Sequence, residues 1–407
     1  MIKKVKVEQL EPGIFVHDFN CQWSENNLRM DQLMIKDKKI VDILISMGVK
    51  EVYIDTDRGR DVSDAKPVLE VKLETDSAIL TLAQQKGPLP AATVSFKEEL
   101  QVARNIKKQA VNIMEHTMTD VRNGKPLETQ ETYSLIDKMN ESITRNKDAL
   151  LLLTRIRMKD EYTLMHSISV GAYILNFCNV NQIPHDRTMD LAIGAMFHDL
   201  GKTMVPLAIL NKPGKLDDSE FERIKKHPED SAKILQSAKG LPYEAYDMGL
   251  HHHERCDGKG YPHGLKGDEI TFGSQLAAIA DVYDALTSDR CYKKGIDRVE
   301  GLRKLYEWSE YHFNKELTYK FIRSIGVYPI GACVKLGSER IGVVIGSTDD
   351  VVKPVVRLFF DDRKKIPLPV YDLDLSKTED SVQGYEDPQK WEVQRKRIFD
   401  DVQANFL

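Results

Sequence analysis

Eight side chains of this 407-residue chain form a spaced series: His166, the pair His198 and Asp199, His227, the run His251, His252 and His253, and Asp281. Neutral imidazole is a common ligand for divalent transition ions, and adjacent histidines at a helix end can both reach one ion. Taken singly, His166 or His227 reads as a hydrogen-bonded core histidine or a helix cap, and an isolated histidine pair as a solvated loop. Their ordered recurrence over about 115 residues favours a metal centre. Imidazole and carboxylate ligands without a thiolate suit iron or manganese, then nickel, cobalt or zinc, and argue against a structural thiolate-zinc site.

The surrounding patterns indicate how these groups are held. In DEYTLMHSISVGAYILNF, His166 shares a helical face with Val170, Tyr173, Ile174 and Phe177, so its imidazole points into the protein. His198 and Asp199 end the apolar pattern LAIGAMFHDLGK, which Gly201 is expected to terminate through a left-handed residue. His227 precedes Pro228 and an acidic turn, the signature of a helix start. Asp281 lies on GSQLAAIADVYDALTS, with Asp284 one turn away on the same face as a second acid or base contact. The glycines of DGKGYP allow close backbone approach to a ligand, and Tyr261 offers an aromatic surface. Lys202 follows a helix C-terminus, where the dipole alone would favour it. Arg290 and Lys293 in SDRCYKK read either as solvated cations or as a grip on a phosphate or a guanine edge.

Three blocks, HDLGK from His198, HHERCDGKGYP from His252 and DVYDALTSDR from Asp281, resemble the signature motifs of HD-GYP phosphodiesterases over roughly residues 160–326. The resemblance implies a mainly α fold, an HD-superfamily helical bundle, holding two metal ions. One ion would take His166, His198 and Asp281, the other His227, His252 and His253, and Asp199 would bridge them. Two cations would activate water for in-line attack at phosphorus, with Asp199 and Lys202 as the catalytic residues and Lys202 supplying fixed positive charge. Lys202, Asp284, Arg290, Lys293 and Tyr261 are the substrate-binding candidates; His251, one residue outside the two histidines that match the family, is not assigned to either ion. The implied substrate is a cyclic dinucleotide: cyclic di-GMP, opened to pGpG and on to GMP, or cyclic GMP-AMP. The alternatives are a metal-loaded sensor of cyclic dinucleotides with little turnover, and an HD phosphohydrolase acting on nucleoside phosphates. Against the latter stand His227, His252, His253 and the GYP block, which a one-metal enzyme does not need. Members with three metals carry a glutamate four residues before the first histidine; here that position is Tyr162, and Glu161 is rotated by about 100° from the His166 face, so two ions are expected.

The remaining sequence sets the context. Residues 1 to about 60 mix short alternating runs with one helical pattern, a small α+β module; LEPGIFV, Trp23 and VYIDTDRG resemble the DUF3391 accessory domain. Residues from about 60 to 93, ending in AQQKGPLPAATVS, read as a mobile linker that completes the first region, 1–93. Residues 95–326 are the helical catalytic region, and 327–407 a small β-rich appendage such as an SH3-like barrel. The stretch FKEELQVARNIKKQAVNIMEHTM reads as an exposed amphipathic helix able to pair with a second copy, so a homodimer through helices or the N-terminal module is expected. Five scattered cysteines without a CxxC pair argue against a disulfide framework. No apolar run or signal sequence points to a membrane, so a cytoplasmic protein is expected. A net charge of −5 argues against binding DNA or RNA duplexes.

Overall fold

The structure, a computed structural model, describes residues 1–21, 32–84, 89–90, 92–154, 162–212, 214, 216–288, 295–387 and 389–394. The N-terminal module contains β1 (Ile2–Lys6), β2 (Phe15–Asp18), β3 (Leu33–Met34), α1 (Lys38–Ser46), β4 (Glu51–Asp55) and β5 (Lys66–Pro67). Its antiparallel sheet has the order β3-β2-β4-β1-β5, with Val5 opposite Val52 and Lys3 opposite Ile54. Asp37 caps α1 by accepting from the Ile40 amide, and Val41 and Leu44 pack with Val5, Val16, Val52 and Ile54 in a separate small core. This is the expected α+β module.

Next comes α2 (Val68–Gln84), where the sequence suggests a linker. Its buried residues are Val71, Thr75, Ile79 and Ala83, a stripe one residue wide, while Leu69 and Leu73 stay exposed. So thin a stripe carries little periodicity, and the helix owes its place to packing against α12 and α13, described below. The long helices α3 (Phe96–Arg122), started by a Ser95–Glu98 capping box, and α4 (Gln130–Leu153) pack against each other. Leu100, Ala103, Ile106, Ala110 and Met114 of α3 are buried in this contact. The stripe that suggested pairing with a second copy is thus covered within the chain.

The central helix α5 (Tyr162–Val180) is apolar nearly all round, as befits a helix surrounded by α4, α6 and α11. Around it lie α6 (His185–Phe197), α7 (Leu207–Leu210), α8 (Asp218–Lys225), α9 (His227–Ser237), α10 (Tyr243–His251), α11 (Phe272–Thr287), α12 (Arg298–Trp308) and α13 (Lys315–Ile325). The mainly helical bundle is therefore the architecture of the middle of the chain. At the C-terminal end β6 (Cys333–Leu336), β7 (Arg340–Gly346), β8 (Val355–Asp361), β9 (Ile366–Asp374) and β10 (Val382–Tyr385) form an antiparallel sheet of order β10-β6-β7-β8-β9. Strand alternation sends Val344, Val356 and Leu358 into the helical core and Ile341, Val343 and Phe359 into a second cluster with Trp391.

The N-terminal module is joined to α12 by a polar cluster. Glu307 accepts from the Tyr53 hydroxyl at 3.0 Å and the Asn20 side-chain amide at 3.1 Å, and pairs with Lys4 at 3.1 Å. The Trp308 indole donates to the Asn20 carbonyl at 2.9 Å, and Arg303 pairs with Asp76 of α2 at 2.7 Å. Burial, reinforced by Glu307, raises the Tyr53 pKa and keeps the phenol a donor.

Candidate metal centre and active site

Five helices bring the histidine series together. His166 comes from α5, His198 from the C-terminal end of α6, and Asp199 opens the 3-10 turn Leu200–Met204. His227 is the first residue of α9, His252 and His253 follow α10, and Asp281 projects from α11. His166, His198, Asp199, His227, His252 and Asp281 are all buried.

Gly201 corrects the sequence reading of this turn. Its backbone does not adopt a positive φ. It sits where a Cβ would lie 2.0 Å from the His227 carbonyl and 2.4 Å from the Ser231 amide, while its own N–H donates to Ser231 Oγ at 2.8 Å. A side chain is excluded by contact with α9, so the glycine sets the distance between the Asp199 turn and His227. The glycines of DGKGYP likewise serve internal closure. Gly258 has φ +74°, and a Cβ on Gly260 would lie 2.6 Å from the His253 carbonyl.

The ring nitrogens have assigned duties. Nδ1 of His198 donates to the Ala195 carbonyl at 2.6 Å, Nδ1 of His227 to Ile224 at 2.7 Å, and Nδ1 of His252 to Met248 at 3.0 Å. His166 Nδ1 lies 2.7 Å from Asp284 Oδ2. Each such bond turns the opposite Nε2 inward, where it could serve as a ligand. Two groups of inward atoms result: His227, His252 and His253, and His166, His198 and Asp199, with the ligand atoms of each group within 4.8 Å of one another. Asp199 faces both. Its Oδ2 is 3.5 Å from His166 Nε2 and 3.4 Å from His198 Nε2, while Oδ1 is 3.2 Å from His227 Nε2 and 3.8 Å from His252 Nε2. Asp281 Oδ1 approaches His166 Nε2 at 2.9 Å.

These groups suit metal ions better than one another. His227 and His252 point Nε2 at each other across 3.2 Å, although both protons are committed to backbone carbonyls. His198 Nε2 and Asp199 Oδ1 are buried without a hydrogen bond. Facing lone pairs and orphaned acceptors are costly unless a cation lies between them. Burial lowers the pKa of His227, His252 and His253, the last to about 3, and neighbouring histidines or Lys202 add to the shift. Neutral imidazole is the form a metal needs. At His166 burial acts the same way but is outweighed by Asp281 and Asp284, which raise it to about 9. Burial opposes ionisation of Asp199 and Asp281 too; Lys202 and His198 outweigh it at Asp199 and His166 at Asp281, holding both carboxylates ionised.

The substrate candidates divide. The Lys202 ammonium lies 2.5 Å from Asp199 Oδ2 and keeps some exposure, beside the cluster. Asp284 is buried and lies against His166 Nδ1, the ring nitrogen opposite the inward Nε2, where it orients that ring. Tyr261 stacks on His253 with ring centroids 4.7 Å apart, and the Lys225 ammonium lies 5.3 Å from the Tyr261 ring centre. Its first role is to brace a histidine. Arg290, Lys293 and Glu161 lie outside the described residues, as does the side chain of Tyr162. Sequence reasoning missed Glu254, buried and accepting the backbone N–H groups of His263, Gly264 and Leu265 at 2.6, 3.0 and 3.0 Å, which ties the loop shut. A groove of about 2290 Å³ between α2, α3, α12 and the C-terminal sheet is lined by none of these histidines. The chemistry of the donor set, not cavity size, marks the site.

Comparison with known proteins agrees with this geometry. Residues 135–317 match the HD domain model, and residues 2–132 match a domain of unknown function, DUF3391. A cyclic di-GMP phosphodiesterase of Pseudomonas aeruginosa is 35% identical over 395 residues, 96% of this chain and 94% of that protein. A 3'3'-cGAMP-specific phosphodiesterase of Vibrio cholerae is 37% identical over 145 residues, 36% of this chain and 33% of that protein. A cyclic di-GMP phosphodiesterase of the same organism is 30% identical over 227 residues, 52% of this chain and 46% of that protein. Among the described residues no helix is long and apolar enough to cross a membrane.

Proposed function

The chain belongs to the HD-GYP phosphodiesterase family and carries a DUF3391 N-terminal domain, and from that premise we propose that it hydrolyses cyclic di-GMP to linear pGpG at a two-metal centre. Cyclic dinucleotide phosphodiesterase activity is the family's chemistry; the choice of cyclic di-GMP is supported by the relative aligned along 94% of its length. The observation that carries the metal reading is Asp199, whose two oxygens divide between the two histidine groups. His166, His198 and Asp281 would hold one ion, His227, His252 and His253 the other, and Asp199 both. Bound divalent ions would supply Lewis acidity, activating water and neutralising charge on the phosphate.

The protein's own residues do the positioning. Backbone carbonyls of Ala195, Ile224 and Met248 fix three ring tautomers, and Asp284 fixes the fourth. Lys202 places a fixed positive charge beside Asp199, within reach of non-bridging phosphate oxygens as charge develops. Tyr261 and the Glu254-tied loop keep His253 turned inward. The test is product analysis on metal-replete protein given cyclic di-GMP and 3'3'-cGAMP in parallel. The expected result is pGpG from cyclic di-GMP at the higher kcat/KM. Faster turnover of 3'3'-cGAMP would reverse the substrate assignment, and tight binding without turnover would make the protein a sensor.

A further inference from the structure

Outside the buried clusters, a second pair of histidines is arranged as ligands. His251, the last residue of α10, donates from Nδ1 to Asp247 Oδ1 at 2.8 Å. Asp247 is buried and fixed by Thr271 Oγ1 and by Ser274 Oγ at 2.7 Å. The carboxylate therefore holds the His251 ring so that its Nε2 faces outward, the arrangement found behind metal-ligating histidines. That Nε2 lies 3.0 Å from Nδ1 of His263, an exposed residue beyond the DGKGYP loop. His263 is fixed in turn, since its backbone N–H donates to Glu254 at 2.6 Å. Two nitrogens about 2.0–2.1 Å from one ion stand roughly 3 Å apart when they take adjacent positions on it. We propose that His251 and His263 form a separate, solvent-facing transition-metal site that clips the two ends of the 253–262 loop together.

An ion here would add its own bonds to the closure already made by Glu254, bracing the segment that carries Tyr261 against His253. Water would complete its coordination, because no third protein ligand joins the pair among the described residues. The proposal does not depend on which phosphodiester is cleaved. The competing account is a hydrogen-bonded relay, His263 to His251 to Asp247, with no ion.

Untagged, manganese-loaded protein titrated with nickel(II) distinguishes the two. Total metal per chain would be counted after removal of free ion, and nickel located by anomalous scattering. The expected result is one ion per chain beyond the content of the buried centre, located between His251 Nε2 and His263 Nδ1. His263→Asn, which keeps a side-chain N–H donor for the relay, should abolish that extra ion while leaving the buried metals and turnover in nickel-free buffer intact. Nickel exchanging into the buried centre without raising the total, or an extra ion retained by His263→Asn, would overturn the proposal.

Discussion

At the scale of single residues, neighbours in the histidine series carry distinct duties that sequence alone does not separate. Asp199→Ala should lower metal content and abolish hydrolysis, because both histidine groups lose the carboxylate between them. Metal analysis and turnover on one sample check this. Lys202→Ala should retain its metals and lose about one to three powers of ten in kcat, the scale of one lost electrostatic contact to a transition state. Acidity acts through the imidazoles. His227, His252 and His253 have folded pKa values below their ordinary 6.5, so the unfolded chain binds more protons. Their contribution to stability is present above pH 6.5 and is lost as the pH falls toward the folded values, about 3 for His253. His166 has the opposite sign: its contribution is full below pH 6.5 and fades as the pH rises through about 9. The melting temperature of metal-free protein should therefore drop between pH 6.5 and 4.5, and a flat profile would contradict the buried neutral cluster. The histidines were legible because their types are rare and their chemistry narrow. Glu254 and Asp247 were not, because the Glu254 loop amides and the Thr271 and Ser274 hydroxyls on Asp247 lie 9 to 27 residues away and become neighbours only through folding.

At the scale of elements, the sequence was most readable where apolar periodicity is broad and least where tertiary contact decides. The His166, His227 and Asp281 helices follow their patterns, since each buries a wide apolar face or opens on a clear start signal. The α2 stripe of Val71, Thr75, Ile79 and Ala83 is too narrow to signal a helix, and the α3 stripe reads identically whether α4 or a second copy covers it. Gly201 was misread as a helix terminator because glycine also marks close approach, and only the His227 carbonyl distinguishes the two. Gly201→Ala should consequently cost about 1–3 kcal/mol of stability through overpacking and displace the Asp199 turn from α9. Reduced metal affinity with retained helix content by circular dichroism is the expected signature. An alanine variant with parental stability and metal content would show that the contact is slack.

At the scale of the whole molecule, the N-terminal module is tied to the catalytic bundle more closely than a domain on a linker would be. Glu307 of α12 gathers Tyr53, Asn20 and Lys4, and Gly48 of the module lies against Lys259 of the DGKGYP loop and Arg255 just before it. Because every candidate catalytic group falls between His166 and Lys293, residues 1 to about 90 are expected to be dispensable for chemistry but able to alter its rate through packing or dimer formation. The contacts to α12 offer a route for such a graded effect. Glu307→Ala removes the acceptor of a buried phenol and should destabilise the junction by about 1–3 kcal/mol, with turnover reduced and metal content unchanged. Differential scanning calorimetry beside a metal assay tests it; loss of metal would mean that the module completes the centre itself. The two-metal proposal requires Asp199 to stand between two ions. Anomalous scattering from crystals of fully loaded protein, collected at the edge of the bound metal, tests it most directly. Two peaks per chain are expected in the buried centre, one among His166, His198 and Asp281 and one among His227, His252 and His253, with Asp199 contacting both. A single peak there, or a further ion at full occupancy beside Glu161 or Tyr162, would contradict it.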